Sequence, residues 1–229
     1  CSSDLKYGLS LRVYPVIEAA QQTDYIRTDF EYNWARSGSG GGLMLWSQNP
    51  FPLVINTVFD SNRAKMYGGG LMMKNDNKGA AFQRVHFTRN TAVFDGGGMM
   101  ISTVHSGVTF HHCQWVDNSA EGNGGGFAIN TDNGVGTFRD YNNISFVHCH
   151  LEGNTALIGD GGAAYVGNGN VLHIQESNFS SNACNLGQGG AVFYGQKNDF
   201  KFTNVLMNYN YASQSGGALY LSRSNKAEL

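Results

Sequence analysis

The chain has 229 residues, of which only 14% are charged, and its formal net charge at pH 7 is −2. Because it has neither a basic stripe nor a charged run, the composition disfavours nucleic-acid binding. No apolar run approaches the roughly 18 residues that a membrane-spanning helix needs, so the sequence predicts no transmembrane segment.

The N-terminal segment looks like part of an incomplete repeat. Gly8–Leu11 has the pattern of a strand that follows glycine in later repeats, and an insertion is expected near residues 13–23. The first three residues, Cys1-Ser2-Ser3, would also suit a processed and lipidated bacterial lipoprotein.

From residue 30 onward, one motif recurs seven times: an apolar residue, two spacers, an asparagine, one spacer and a small residue. Its first positions are Phe30, Phe59, Phe87, Trp115, Leu151, Phe179 and Met207. They lie 29, 28, 28, 36, 28 and 28 residues apart, and each motif is followed by two or three glycines. A constant period of this size is typical of one supersecondary unit stacked on itself.

Each repeat contains two stretches in which apolar and polar residues alternate as in half-buried strands. One follows the glycines, as in Leu71–Met73, and the other precedes the motif, as in Val108–Phe110. The motif itself predicts a third short strand and a turn. We therefore predict an all-β fold: a right-handed, single-stranded parallel β-helix (solenoid) of about seven coils of 28 residues.

The period assigns residues 1–229 to a single β-helix domain. The 36-residue spacing marks an eight-residue insertion near residues 130–142, which is expected to form a loop at one corner. Such a loop could carry recognition or be a passive insertion.

The repeated asparagine is expected to form a ladder, because its side-chain amide carries both a donor and an acceptor. In stacked coils these amides can bond to one another and to the backbone of the turn. The expected ladder residues are Asn33, Asn62, Asn90, Asn118, Asn154, Asn182 and Asn210.

Two of the four cysteines occupy the same position in neighbouring repeats. Cys113 and Cys149 both lie two residues before the first position of the motif. Stacked strands are about 4.8 Å apart, which is within the range of Cα separations that permit a disulfide. We predict a Cys113–Cys149 disulfide, and the alternative is a pair of reduced thiols in an interior ladder.

In the strand after the glycines, the first and third residues should face the core and the middle residue should face outward. This outward row contains Met44, Met72, Met100, Ala128, Tyr165, Phe193 and Tyr220. An exposed apolar stripe of this length predicts a lateral protein–protein contact. If the alternation shifts at the glycines, the same row belongs to the core.

Two further surface features have possible functions. His112 and His148 occupy equivalent positions in neighbouring repeats. Because imidazole can bind zinc, copper or nickel, the pair is a candidate metal site. The alternative is a polar surface ladder that binds no metal.

Asn143 and Asn178 each begin an N-glycosylation sequon, which could be used if the protein is secreted by a eukaryotic cell.

A polysaccharide lyase or hydrolase is the alternative function class, since such chemistry uses paired carboxylates. Glu31 and Asp60 are expected to stack one coil apart, and Asp95 and Asp160 share a row that Asn123 interrupts. Solvated surface carboxylates account for both pairs, and no cofactor is expected.

The repeats resemble those of chlamydial polymorphic outer-membrane proteins. Phe179-Ser-Ser-Asn182 followed by Gly189-Gly-Ala-Val192 matches the FxxN and GGA-aliphatic motifs of that family, and Met207 to Asn210 with Gly216 to Leu219 is similar. The first four repeats differ, with Gly-Gly-Gly in place of Gly-Gly-Ala. The resemblance implies an extracellular, non-enzymatic region used for adhesion or as a rigid stalk.

Neither end of the repeat array shows a capping helix, and an uncapped solenoid exposes strand edges that can pair with another chain. We therefore expect a segment of a longer polypeptide or a subunit that stacks end to end. The predicted function is an extracellular or cell-surface structural or adhesive module of a filament, stalk or adhesin. Its expected partners are further copies of itself, by end-to-end or lateral contact, or other surface proteins and glycans.

Overall fold

The computed structural model describes residues 27–47, 49, 51–75, 77–102, 106–130 and 142–229. These residues form four parallel sheets of seven strands each, and successive strands of a sheet come from successive coils. The described part contains no helix, and hence none long and apolar enough to cross a membrane. The prediction of an all-β solenoid of about seven 28-residue coils is confirmed.

The four sheets are numbered in the order in which the chain meets them within a coil. Sheet 1 contains Thr28–Glu31, Thr57–Asp60, His86–Thr88, Gln114–Val116, His150–Glu152, Asn178–Ser180 and Leu206–Asn208. Sheet 2 contains Trp34–Ala35, Arg63–Ala64, Thr91–Ala92, Ser119–Ala120, Thr155–Ala156, Ala183–Cys184 and Tyr211–Ala212. Sheet 3 contains Leu43–Leu45, Leu71–Lys74, Met99–Ser102, Phe127–Asn130, Ala164–Val166, Val192–Tyr194 and Leu219–Leu221. Sheet 4 contains Leu53–Ile55, Ala81–Gln83, Ser106–His111, Asn143–Val147, Val171–Gln175, Asp199–Thr203 and Lys226–Glu228.

Each coil therefore has four strands, one more than the sequence predicted. The motif bends at its asparagine, so that it supplies one strand to sheet 1 and a two-residue strand to sheet 2. The residue before the asparagine makes this bend with a positive φ, as at Ser61 (φ 55°) and Asp117 (φ 54°). Left-handed backbone is unfavourable for residues other than glycine. The hydrogen bonds made by the asparagine that follows must therefore stabilise the bend.

The core consists of apolar rows that run along the stack. The first residue of the motif faces inward, and the rings of Phe59 and Phe87 stack with centroids 4.9 Å apart and planes 6° apart. On sheet 4, Phe82 and Phe110 stack in the same way at 4.7 Å. Because equivalent residues are in register from coil to coil, one type of side chain forms a continuous column.

The seven motif asparagines form a continuous hydrogen-bonded ladder at the corner between sheets 1 and 2. At Asn118, Nδ2 donates to Oδ1 of Asn154 (3.0 Å) and to the carbonyl oxygen of Phe87 (2.8 Å). Its Oδ1 accepts from both the backbone N–H and Nδ2 of Asn90, at 3.0 and 2.9 Å. The other rungs repeat this pattern, and the bonds between amides join Asn33, Asn62, Asn90, Asn118, Asn154, Asn182 and Asn210.

A second asparagine ladder lies at the corner before sheet 4. It was not predicted from the sequence. Nδ2 of Asn49 donates to Oδ1 of Asn77 at 2.8 Å. Further along the stack, a series of bonds joins Asn142, Asn170, Asn198 and Asn225. These residues are mostly 28 positions apart, so the period that revealed the first ladder could have revealed this one.

The glycines occupy the corner between sheets 2 and 3, and their positions within the triplet differ in role. The first has a positive φ, for example 69° at Gly96. At the second, Gly97, an added Cβ would lie 2.4 Å from the carbonyl oxygens of both Gly125 and Ser119. The third position is Ala in the later coils, as at Ala163.

Several predictions fall outside the described residues. These are the strand at Gly8–Leu11, the insertion near residues 13–23, the lipoprotein reading of Cys1, and residues 131–141 of the second insertion.

Candidate functional site: the outer face of sheet 3

The outer face of sheet 3 is the side turned away from the main core. Alternation along each strand sends the first and third residues, such as Leu71 and Met73, into the core, and the middle residue, Met72, to the outer face. The predicted orientation of this row is therefore correct. The fourth residue of a strand, such as Lys74, lies on the same side as Met72 because side chains alternate.

The first coils of this face form a cavity of about 350 Å³. Met72 and Met100 form its floor, and Tyr67, from the turn between sheets 2 and 3, lies along one side. Trp46 and Lys74 lie along the other side, with Nζ of Lys74 4.7 Å from the centroid of the Trp46 ring.

The expected exposure of this row is wrong for its middle members. Met72 and Met100 are each 3% exposed and Ala128 is fully buried, so the face is not an open apolar stripe along its whole length. These three residues form a small cluster separate from the main core, against which Met44, Tyr67 and Tyr165 pack. The sequence could not show this, because the covering side chains come both from neighbouring strands, as Met44 and Tyr165 do, and from the turn that carries Tyr67.

The later coils of the same face present a half-buried column of aromatic rings. Tyr165 and Phe193 stack with centroids 5.2 Å apart and planes 6° apart, and Phe193 and Tyr220 stack at 5.2 Å and 8°. Burial raises the pKa of Tyr165, and the nearby carboxylates of Asp95 and Asp160 raise this pKa further.

Asp95 and Asp160 belong to a polar ladder beside this face. Oδ1 of Asp95 accepts from the backbone N–H of Asn123 at 2.8 Å and from its Nδ2 at 3.0 Å. Oδ1 of Asn123 accepts from the backbone N–H of Asp160, and Oδ1 of Asp160 accepts from the backbone N–H of Gln188, both at 2.8 Å. Each side chain thus caps the turn of the next coil.

The second carboxylate pair, Glu31 and Asp60, is in register on neighbouring strands of sheet 1. Oδ2 of Asp60 accepts a hydrogen bond of 2.6 Å from Arg89, and its Oδ1 accepts one of 3.1 Å from Ser61. Glu31 is exposed. The contacts of Asp60 give it a structural role at the corner of the coil.

His112 and His148 stack face to face, with ring centroids 4.8 Å apart and planes 4° apart. Nδ1 of His148 also lies 3.2 Å from Oε2 of Glu176. Within the described ranges, no group of three His, Cys, Asp or Glu side chains is arranged to hold a metal ion. The two rings thus form a stacked pair on the surface. Among the described residues, no third ligand is placed to complete a metal site with them.

The predicted Cys113–Cys149 disulfide is wrong, because both thiols are free and buried. Sγ of Cys113 lies 3.4 Å from the carbonyl oxygen of His111, two residues before it, and Sγ of Cys149 lies 3.5 Å from that of Val147. Each thiol thus donates to a local carbonyl group. The neighbouring thiol of Cys149 lowers the pKa of Cys113, whereas the neighbouring thiol of Cys113, together with burial, raises the pKa of Cys149.

We expect Cys113, Cys149 and Cys184 to resist alkylation in the folded protein, because all three are buried. Peptide mass mapping after maleimide treatment without reductant should show them modified only when guanidinium is added first. A Cys113–Cys149 cross-linked peptide in the unreduced digest would contradict the free thiols.

The two sequon asparagines differ in accessibility. Asn143 is exposed at the start of its strand, whereas Asn178 is partly buried on sheet 1 and its Oδ1 has no hydrogen-bond partner among the described residues. Asn143 is therefore the more accessible acceptor for a glycan.

Comparisons of the chain with protein-family models, with curated proteins and with solved structures find no match.

Proposed function

We propose that the chain is a structural or adhesive module that acts outside the cell, and that it uses the outer face of sheet 3 for lateral contacts. The observation that carries this proposal is the column of Tyr165, Phe193 and Tyr220, which is apolar, half-buried and in register over three coils. Tyrosine and phenylalanine are enriched in the centres of protein interfaces.

The scaffold behind this face supports a mechanical role. Two asparagine ladders and stacked core rings connect each coil to the next, and such buried polar networks make a fold rigid when their groups are satisfied. A rigid solenoid holds equivalent positions in register, so a contact made by one ring of the aromatic column can repeat at the next.

The extracellular location rests on two sequence features. The FxxN and GGA-aliphatic motifs resemble those of polymorphic outer-membrane proteins, whose repeats are displayed at the cell surface. The sequon at Asn143 lies on an exposed strand end. The proposed partner is a second copy of the chain or another surface protein.

We expect Phe193→Arg to weaken self-association while leaving the thermal unfolding temperature nearly unchanged, because a charge desolvated in an apolar contact is costly. Phe193 is a better test than Met72, whose burial would make a charged residue destabilise the fold itself. Sedimentation velocity over a range of protein concentrations measures the association.

Tyr209→Arg is the matched control, since Tyr209 is 86% exposed at a turn away from sheet 3. This variant should associate as the unmodified chain does. If the unmodified chain stays monomeric at every concentration, or if both variants lose association equally, the proposed self-association through sheet 3 is refuted.

A further inference from the structure

Four methionine side chains line the cavity on the outer face of sheet 3. Met44, Met72 and Met100 are in register on successive strands, and Met66 reaches the cavity from the turn before sheet 3. The chain has seven methionines, so this one cavity takes more than half of them. Met73 and Met99, on the same strands, face the opposite way and belong to the main core.

The thioether sulfur of methionine is a soft ligand that favours Cu(I) over hard divalent cations. Among the described residues that line the cavity there is no Asp, Glu, His or Cys, and the oxygen donors come from residues such as Ser102 and Asn130. A hard divalent cation such as Mg²⁺ or Ca²⁺ would find no carboxylate there. The donor atoms of this cavity therefore favour a soft metal ion over a hard one.

The spacing allows the sulfurs to converge on the middle position. Neighbouring in-register residues of parallel strands lie about 4.8 Å apart, so Met44 and Met100 lie one spacing to either side of Met72. The methionine side chain has three rotatable bonds with which it can adapt its sulfur position. Met72 and Met100 are each 3% exposed, so their thioethers are largely shielded from water. Met44 and Met66 are more exposed, so their thioethers can be reached from solvent.

The positive charge beside the cavity favours a monovalent cation over a divalent one. Lys74 lines the wall, with its Nζ over the ring of Trp46 at 4.7 Å. Its positive charge repels a divalent ion about twice as strongly as a monovalent one at the same distance. We propose that this cavity binds one soft monovalent cation, Cu(I) or its analogue Ag(I), through the thioethers of Met44, Met66, Met72 and Met100.

Ag(I) is the probe for the test, because it is stable in air, and accessible thiols are first blocked with a maleimide. With methionine labelled by ¹³C at its methyl group, a two-dimensional NMR spectrum should show seven methyl signals. Ag(I) should shift those of Met44, Met66, Met72 and Met100 at one equivalent. The signals of Met73 and Met99 in the core, and of Met207 in a separate cavity, should stay in place.

Substitutions with leucine separate a metal site from a packing role. Met72→Leu and Met100→Leu should each weaken Ag(I) binding by about tenfold or more, since even outer-shell changes around metals cost that much. Met73→Leu and Met99→Leu are matched controls on the same strands and should keep the affinity. Lys74→Gln should strengthen binding because it removes a like charge.

The pH dependence gives an independent readout. A thioether carries no proton, so binding should be retained at pH 5, whereas thiol and imidazole ligands must lose protons to bind metal. The proposal is overturned if no methyl signal shifts, if the control variants lose affinity as Met72→Leu does, or if binding disappears at pH 5.

Discussion

Replacing Asn118 with leucine is expected to lower the free energy of unfolding by about 3 kcal/mol, because it leaves a buried donor unsatisfied and breaks a network. Asn118 accepts from the backbone N–H and Nδ2 of Asn90, and donates to Asn154 and to the carbonyl oxygen of Phe87. In the variant, the backbone N–H of Asn90 loses its acceptor inside the protein. Urea denaturation followed by circular dichroism measures the difference.

Asn33→Leu is the control for this prediction. Asn33 is partly exposed in the first described coil, and its side chain donates to Asn62 at 2.9 Å. Its substitution removes one ordinary hydrogen bond, so the expected loss is about 1 kcal/mol. Equal losses for the two variants, or none at Asn118, would show that the ladder does not hold the coils together.

Gly97→Ala is expected to destabilise the protein by about 3 kcal/mol, at the upper end for an overpacked site. The new Cβ would lie 2.4 Å from two carbonyl oxygens of the next coil, those of Ser119 and Gly125. Both are backbone atoms, so the clash can be relieved only by moving the coils apart. Differential scanning calorimetry should show a lower unfolding temperature.

Two other glycines provide controls at the same corner. At Gly38 an added Cβ would meet nothing within 4 Å, so Gly38→Ala should change stability by less than about 0.5 kcal/mol. Gly98→Ala should be milder than Gly97→Ala, since the equivalent residue in a later coil is Ala163. A variant at Gly97 as stable as that at Gly38 would refute the close approach of the coils.

The fold could be predicted from the sequence because a 28-residue period made of short strands is compatible with few architectures other than a stacked solenoid. The sequence placed the row of Asn118 at a corner and Met73 in the core, since both follow from register alone. It missed the split of the motif into two strands, which depends on a positive φ at residues such as Ser61 and Arg89 that have no special preference for it.

The candidate site was harder to predict because it depends on contacts between different elements. Alternation showed which way Met72 faces, but its burial comes from packing against its neighbours on the outer face. Likewise, the positions of Cys113 and Cys149 permitted a disulfide, whereas the local carbonyl groups that accept from the thiols can be seen only in three dimensions.

The asparagine ladders have a direction. In every bond between side-chain amides from Asn33 to Asn210, Nδ2 donates to the following coil and Oδ1 accepts from the preceding coil. In the second ladder the side-chain oxygens of Asn77, Asn170, Asn198 and Asn225 likewise accept from the preceding coil. Strand dipoles in a sheet largely cancel, so these side chains supply an electric dipole along the long axis. The negative pole of this side-chain dipole lies toward the N-terminal coils.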